Sequence, residues 1–104
     1  MIEIEQAAQG FLAAGSESRL QVLRLLVKAG VEGLLVGEIQ SQLGIPGSTL
    51  THHLRCLENA GLIHQRKLGT SVFNYAYFDH IQSLAAFLLE ECCADEKAIR
   101  RRKR

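Results

Sequence analysis

The strongest constraint on the fold lies in residues 43–62, which combine a chain break, a two-faced helix and a helix stop. Gly44-Ile45-Pro46 interrupts any helix that precedes it, and Gly61 ends the helix that follows. The pattern predicts a helix from about residue 47 to residue 60 that buries one face against a core. The inward positions of this helix, taken at 100° per residue, are Leu50, Leu54 and Leu57.

The opposite face of this predicted helix carries small or flexible hydrogen-bonding groups. No Asp or Glu occurs between residues 39 and 57, and a surface without acids favours an approach to phosphates. Such side chains can contact base edges in the major groove, where Arg forms a bidentate contact with guanine. The sequence therefore predicts a DNA-reading helix, with candidate contact residues Ser48, Thr49, Thr51, His52 and Arg55.

After Gly61 the apolar period changes from 3.6 to 2, which predicts a β-hairpin. We expect strands over residues 62–67 and 72–77, joined by a Gly-containing turn at 68–71. Polar side chains at the tip of such a hairpin suit phosphate contacts, which position a protein on DNA. A polar tip can equally serve solubility alone. The candidate phosphate-contacting residues are Arg66, Lys67, Thr70 and Ser71.

The remaining apolar spacing predicts further helices on both sides of this unit. A first helix should end at Gly15, and Ser16 should cap a second helix whose residues 20–27, apolar nearly all round, mark it as central and buried. Residues 34–36 should form an edge strand or a lead-in to a third helix over 37–43. A last helix should run from about 79 to 95 or beyond, with a stripe formed by Ile81, Leu84, Ala85, Leu88, Leu89 and Cys92.

This order predicts a mainly α (α+β) fold, a winged helix–turn–helix of about five helices with a β-hairpin wing. The first and last helices are more apolar than so small a core can absorb. We therefore expect them to pair with the same helices of a second copy. Residues 1–99 should form one DNA-binding and dimerisation domain, followed by a basic tail over residues 100–104.

Composition excludes several classes of protein. No apolar run approaches the ~18 residues of a membrane span, and acids stand at positions 3 and 5 where a signal peptide has bases. We expect a cytoplasmic protein without a membrane partner. A Gly-rich phosphate loop, a Ser/His/Asp set and paired catalytic carboxylates are all absent from the sequence, so we expect neither enzyme activity nor an obligatory cofactor. A winged helix used only for protein contacts is the rival interpretation.

Residues 48–57, followed by Ala60-Gly61-Leu62-Ile63, resemble the recognition helix of the ArsR/SmtB family of bacterial repressors. Ser18-Arg19-Leu20 and residues 22–26 resemble the second helix of that family, and the resemblance covers roughly residues 6–93. It implies a homodimer on an imperfect inverted repeat in double-stranded DNA, released when an inducer binds. Pro46-Gly47 departs from the Ser-Gln of many members, which removes a usual capping side chain.

The resemblance also directs attention to the cysteines. The Cys-x-Cys of the commonest arsenic site in the family is absent from residues 34–39, and Asp79-His80 begins a zinc pattern that no second His completes. Cys92-Cys93 matches the adjacent pair of some arsenic-responsive members. As(III) and Sb(III) favour thiolates, so this pair is the candidate metalloid site, with a third thiolate from the partner subunit, from Cys56 or from an external thiol.

Three interpretations of the cysteine pair stay open. It senses a metalloid, it senses an oxidant, electrophile or organic signal, or it senses nothing and Cys92 packs as part of the apolar stripe. A disulfide between adjacent cysteines is strained, so a redox switch would link subunits. We expect packing for Cys56, and DNA contact or helix packing for His52 and His53.

Overall fold

The computed structural model describes residues 2–96, which form five α-helices, a short 3₁₀ helix and a three-stranded sheet. The predicted order of elements and the fold class are confirmed. Across residues 2–96, each helix is too short or too polar to cross a membrane. The elements are α1 (Ile4–Ala14), α2 (Glu17–Ala29), the 3₁₀ helix (Gly30–Glu32), β1 (Leu34–Leu35), α3 (Val36–Leu43), α4 (Gly47–Asn59), β2 (Ile63–Leu68), β3 (Ser71–Ala76) and α5 (Phe78–Leu89).

The junction between α1 and α2 follows the sequence signals. Gly15 caps the end of α1, and the Ser16 hydroxyl accepts a hydrogen bond from the Arg19 backbone N–H at 3.2 Å. The Arg19 side chain reaches back, and its Nε donates to the Ala13 carbonyl at 2.6 Å. These bonds constrain the angle between α1 and α2.

The prediction that residues 20–27 are buried all round is wrong. Val22 and Leu26 are fully buried, but Leu20 is 45 % exposed and Val27 is 41 % exposed. Within residues 2–96, α2 packs on α1, α3, α4 and β3, and these contacts leave two of its large apolar side chains partly at the surface.

The core lies between the five α-helices and the base of the hairpin. Most of its side chains are leucine or isoleucine, which supply apolar area without polar atoms to satisfy. Deleting several methyl groups from such a site costs about 2–5 kcal/mol. The largest fully buried apolar side chains are Val22, Leu26, Ile39, Leu50, Leu57, Leu62 and Ile63.

The sheet is antiparallel, with the strand order β1-β3-β2. β1 is the edge strand that the sequence offered as one alternative for residues 34–36. The hairpin register runs from Ile63 opposite Ala76 to Leu68 opposite Ser71. The turn is therefore only Gly69-Thr70, and each strand is displaced by one residue from the prediction. Gly69 has φ +62°, the conformation a two-residue hairpin turn requires and glycine adopts without strain.

The prediction that the last helix continues to residue 95 is wrong, because α5 ends at Leu89. Its last turn has no basic residue and is followed at once by Glu90-Glu91, and acids at a helix C-terminus oppose the helix dipole. Isolated turns replace the helix over residues 90–96. Cys92 therefore leaves the apolar stripe and is exposed. The predicted basic tail lies outside the described residues.

Candidate nucleic-acid interface

The turn before α4 is formed by backbone conformation and backbone hydrogen bonds rather than by a capping side chain. Gly44 adopts a left-handed conformation with φ +67°, and its N–H donates to the Gln40 carbonyl at 2.8 Å, which closes α3. Pro46 stands at the N-cap of α4 and provides no capping side chain, as the departure at Pro46-Gly47 led us to expect. The first turn forms nevertheless, because the Leu50 N–H donates to the Pro46 carbonyl at 2.9 Å.

Helix α4 has one buried face and one exposed face. Leu50 and Leu57 are 0 % exposed and Leu54 is 2 % exposed, so the inward positions agree with the prediction. The outward side chains are short or flexible hydrogen-bonding groups, and α4 has one acid, Glu58, in its last turn. A helix held by its leucines and open on its polar side can be set into a groove of DNA. The exposed predicted contact residues are Ser48, Thr49, Thr51, His52 and Arg55.

The wing presents two different faces. Side chains alternate along a strand, so Lys67 and Gln65 share one face of β2, and Arg66 and His64 share the other. Gln65 lines a cavity of about 270 Å³ with Thr51, Arg55 and Glu58, which places its face towards α4. Gln65 was not among the predicted contact residues, although its period-2 spacing with Lys67 was an available signal.

The four predicted tip residues are all exposed but do not share one surface. Lys67 is on the face that turns towards α4. The guanidinium carbon of Arg66 lies 6.0 Å from the centre of the Tyr75 ring, on the opposite face. Thr70 is in the turn, and Ser71 begins β3 opposite Leu68.

Two histidines on α4 differ in environment. His52 is exposed, and its Nε2 lies 3.6 Å from the Cys56 thiol one turn later. His53 is half-buried, and its Nδ1 is buried without a hydrogen-bond partner. Burial lowers the pKa of His53 below 6.5, and the nearby charges of Arg19 and His52 lower it further. These effects favour the neutral form of His53, a half-buried side chain of α4.

The cysteine pair follows the end of α5. The two thiol sulfurs of Cys92 and Cys93 lie 3.7 Å apart, and Cys93 has φ +61°, a conformation uncommon outside glycine. Cys92 is exposed and Cys93 is half-buried. Within residues 2–96, no group of three His, Cys, Asp or Glu side chains is placed to hold one metal ion. Cys56 of the same chain thus does not join the pair as a third ligand.

Comparisons with known proteins bear on this geometry. A family model described as a helix-turn-helix domain matches residues 14–66. An uncharacterized HTH-type transcriptional regulator of Methanocaldococcus jannaschii is 37 % identical over 84 residues, which cover 81 % of this chain and 92 % of that protein. HlyU of Vibrio cholerae, named a transcriptional activator, is 39 % identical over 61 residues, 59 % of this chain and 54 % of HlyU.

Solved structures give the same picture. HlyU of Vibrio cholerae superposes with a TM-score of 0.67 at 29 % identity, covering 88 % of this chain and 99 % of that one. A homodimeric winged helix-turn-helix DNA-binding domain from Mycobacterium bovis, a possible ArsR-family transcriptional regulator, has a TM-score of 0.67 at 25 % identity. That match covers 97 % of this chain and 89 % of the other. The names of these relatives are those of transcriptional regulators, not of enzymes.

Proposed function

The chain belongs to the ArsR-type winged helix-turn-helix regulators of transcription, and we propose that it is a homodimeric repressor that reads an inverted-repeat operator. The observation that carries the proposal is the exposed, hydrogen-bonding face of α4 above three buried leucines. The polar side chains of this face add nothing to the packing of the core. In the major groove, their donors and acceptors can distinguish base pairs.

The proposed contacts divide by what they recognise. Arg55, Thr51 and His52 face outward from α4 and approach base edges, with Ser48 and Thr49 at its N-terminal end. The wing-tip residues Lys67, Thr70, Ser71 and Arg66 approach phosphates, which fix the position of the protein on the duplex. Gln65 lines the cavity between the wing and α4 together with Thr51 and Arg55, and its Nε2 donates to Asn74 Oδ1 on β3 at 2.6 Å.

The proposed dimer uses the outer faces of α1 and α5. Ile4 and Leu12 on α1 are each 71 % exposed, and Leu88 and Leu89 on α5 are 68 % and 66 % exposed. Apolar side chains this exposed on two helices of one small domain are typical of an interface. The related domain from Mycobacterium bovis is a homodimer. A two-fold axis through such an interface would set two copies of α4 about one helical turn of DNA apart.

The proposed inducer is thiol-reactive, and As(III) or Sb(III) is the first candidate. The exposed Cys92 thiol and its neighbour 3.7 Å away can donate to one soft ion. The pair lies just beyond the end of α5 at Leu89, after Glu90 and Glu91, so a ligand there would act next to the proposed dimer interface. A third thiolate would come from the partner subunit or from an external thiol.

A second candidate is an oxidant or electrophile, which the exposure of Cys92 also favours. Because adjacent cysteines make a strained disulfide, oxidation would join the pairs of two subunits. A regulator whose cysteines sense nothing is the third alternative. HlyU is named a transcriptional activator. A promoter-reporter assay therefore tests separately whether this chain represses or activates transcription.

The test is fluorescence anisotropy with DNA from upstream of the gene of this protein. We expect saturable binding that arsenite reverses, and no reversal in the double variant Cys92→Ser/Cys93→Ser. Cys56→Ser is the matched control, because this cysteine lies on α4 outside the proposed site and should leave the arsenite response intact. If hydrogen peroxide and not arsenite reversed DNA binding, the inducer would be an oxidant rather than a metalloid. Equal reversal in the double variant would overturn the sensing proposal while leaving DNA binding intact.

A further inference from the structure

A polar side chain is buried at the centre of the sheet. Asn74 is fully buried, and it is the sole polar residue among the buried side chains of residues 2–96. A buried carboxamide costs free energy unless its atoms are hydrogen-bonded, and an apolar side chain would fill the same space without that cost. Packing alone therefore does not account for an amide at this position, and its hydrogen bonds indicate its role.

The Asn74 carboxamide joins all three strands. Its Nδ2 donates to the Leu34 carbonyl oxygen of β1 at 3.2 Å, and its Oδ1 accepts from Nε2 of Gln65 on β2 at 2.6 Å. Leu34 and Gln65 are the residues paired with Asn74 on the two neighbouring strands. Since a backbone carbonyl oxygen only accepts, the NH₂ group of Asn74 must face Leu34, and its oxygen must face Gln65.

The direction of these hydrogen bonds determines which end of the Gln65 carboxamide is left for another partner. Gln65 donates to Asn74 through Nε2, so its remaining polar atom is the acceptor Oε1. Gln65 lines the cavity of about 270 Å³ between the wing and α4 together with Arg55 and Glu58. A carboxamide with a defined orientation therefore stands in the same cavity as the arginine that is proposed to read a base pair.

The chemistry of Arg55 matches this acceptor. A guanidinium only donates and has N–H groups on several sides, so a bidentate contact with guanine leaves further N–H groups for a protein acceptor. A long arginine side chain loses rotamer freedom when it binds, and a second contact that restrains it lowers that cost. Glu58 lines the same cavity and is the competing acceptor, so an experiment has to distinguish Gln65 from Glu58.

We propose that Asn74 and Gln65 are positioning residues for base reading: Asn74 orients the Gln65 carboxamide, and Gln65 Oε1 accepts a hydrogen bond from the Arg55 guanidinium when Arg55 contacts its base pair. This role rests on the proposed base contact of α4 and extends it to the wing. The side of β2 that faces α4 then serves two purposes, because Lys67 contacts a phosphate and Gln65 supports the reading of sequence.

Anisotropy on upstream DNA and on a scrambled duplex of the same length tests the role of Gln65. Gln65→Leu removes the acceptor. It should weaken binding to the upstream DNA about fivefold to tenfold, the effect of one lost hydrogen bond, and leave binding to the scrambled duplex unchanged. The slope of log affinity against log salt should keep its wild-type value, because no phosphate contact is lost. Lys67→Ala is the matched control on the same face of β2, and it should weaken binding to both duplexes equally.

Further variants identify the partners of Gln65. In the Arg55→Ala background, Gln65→Leu should have no further effect on binding to the upstream DNA, because the side chain that it supports is gone. Asn74→Ala should reproduce the sequence-dependent loss of Gln65→Leu, with circular dichroism used to verify folding, and combining these two changes should add nothing. Glu58→Gln should leave the ratio of the two affinities at its wild-type value.

Four results would overturn the proposal. Gln65→Leu could weaken binding to both duplexes equally, or it could reduce the salt slope, which would mean that the whole wing has moved. Its loss could add to that of Arg55→Ala, or Glu58→Gln could lower the affinity ratio in its place. Because Gln65 is exposed, its substitution tests the proposal even if Asn74→Ala does not fold. Failure of the proposed function is distinguishable, because Arg55→Ala itself would then show no sequence-dependent loss.

Discussion

Helices α4 and α5 bury apolar side chains in the same core but present opposite chemistry to the outside. The outward face of α4 carries hydroxyl, imidazole and guanidinium groups, whereas that of α5 carries Leu88 and Leu89, each about two-thirds exposed. A polar face has no energetic need of a protein partner, and an apolar face does. The difference teaches that the outward face of each helix, not its inward face, indicates its partner: DNA for α4 and a second copy for α5.

The largest expected effect is the difference in lost stability between a substitution on an inward face and one on an outward face. Leu57→Ala should destabilise the protein by about 2–5 kcal/mol, because it leaves a cavity at a side chain that is 0 % exposed. Chemical denaturation measures the loss. In the same assay at low protein concentration, Leu88→Ala, at a position 68 % exposed, should cost less than about 1 kcal/mol. Equal losses would show that α5 is packed like α4.

Charging the outward face of α5 should break the proposed dimer. Leu88→Lys/Leu89→Lys places two cations where apolar contacts are expected, and the dimer should weaken by about a hundredfold or more. Sedimentation equilibrium measures this change. Leu68→Lys is the control, since Leu68 is also apolar and 55 % exposed but lies at the wing tip. A variant dimer as tight as the wild-type dimer would remove α5 from the interface.

Phosphate contacts at the wing should appear in the salt dependence of DNA binding. Lys67→Ala should reduce the slope of log affinity against log salt by about 0.9, the value for one lost phosphate contact. Anisotropy titrations at several salt concentrations give the slope. Lys28→Ala is the control, because Lys28 is exposed on α2 rather than on the wing. An unchanged slope in Lys67→Ala would exclude this side chain from the backbone contacts.

The smallest effect concerns His53. Its pKa is lowered below 6.5 by burial, so the folded state binds its proton more weakly than the unfolded state does. Its contribution to stability is therefore present above pH 6.5 and is lost as the pH falls below that value. We expect His53→Leu to flatten the decline in melting temperature between pH 7 and pH 5. A decline as steep as that of the wild type would assign the pH dependence to other groups.

The core and the outward face of α4 could be predicted because both follow from periodicity. Leu50, Leu54 and Leu57 recur at helical spacing, and the tight burial of all three leaves the polar side chains no alternative but the surface. The turn at Gly44 and the cap at Ser16 were equally local signals. Each depends on one residue's backbone or side chain, so no distant contact could change it.

Other features depended on contacts that periodicity does not report. Residues 20–27 were expected to be buried because they are apolar, but the neighbours of α2 leave Leu20 and Val27 partly exposed. The end of α5 depends on the charges of Glu90 and Glu91 against the helix dipole, which outweigh an apolar stripe that continues to Cys92. Arg66 and Lys67 must face opposite ways on any strand, but which of them faces α4 depends on register, which a hairpin pattern leaves uncertain by one residue.

The central claim is that the outward face of α4 reads base pairs, and Arg55 tests it most directly. Anisotropy should compare Arg55→Ala with Arg24→Ala, an exposed arginine on α2, on upstream DNA and on a scrambled duplex of the same length. We predict that Arg55→Ala loses about 1–3 kcal/mol on the upstream DNA and far less on the scrambled duplex. Equal losses on both duplexes, or no loss beyond that of Arg24→Ala, would contradict sequence reading by α4.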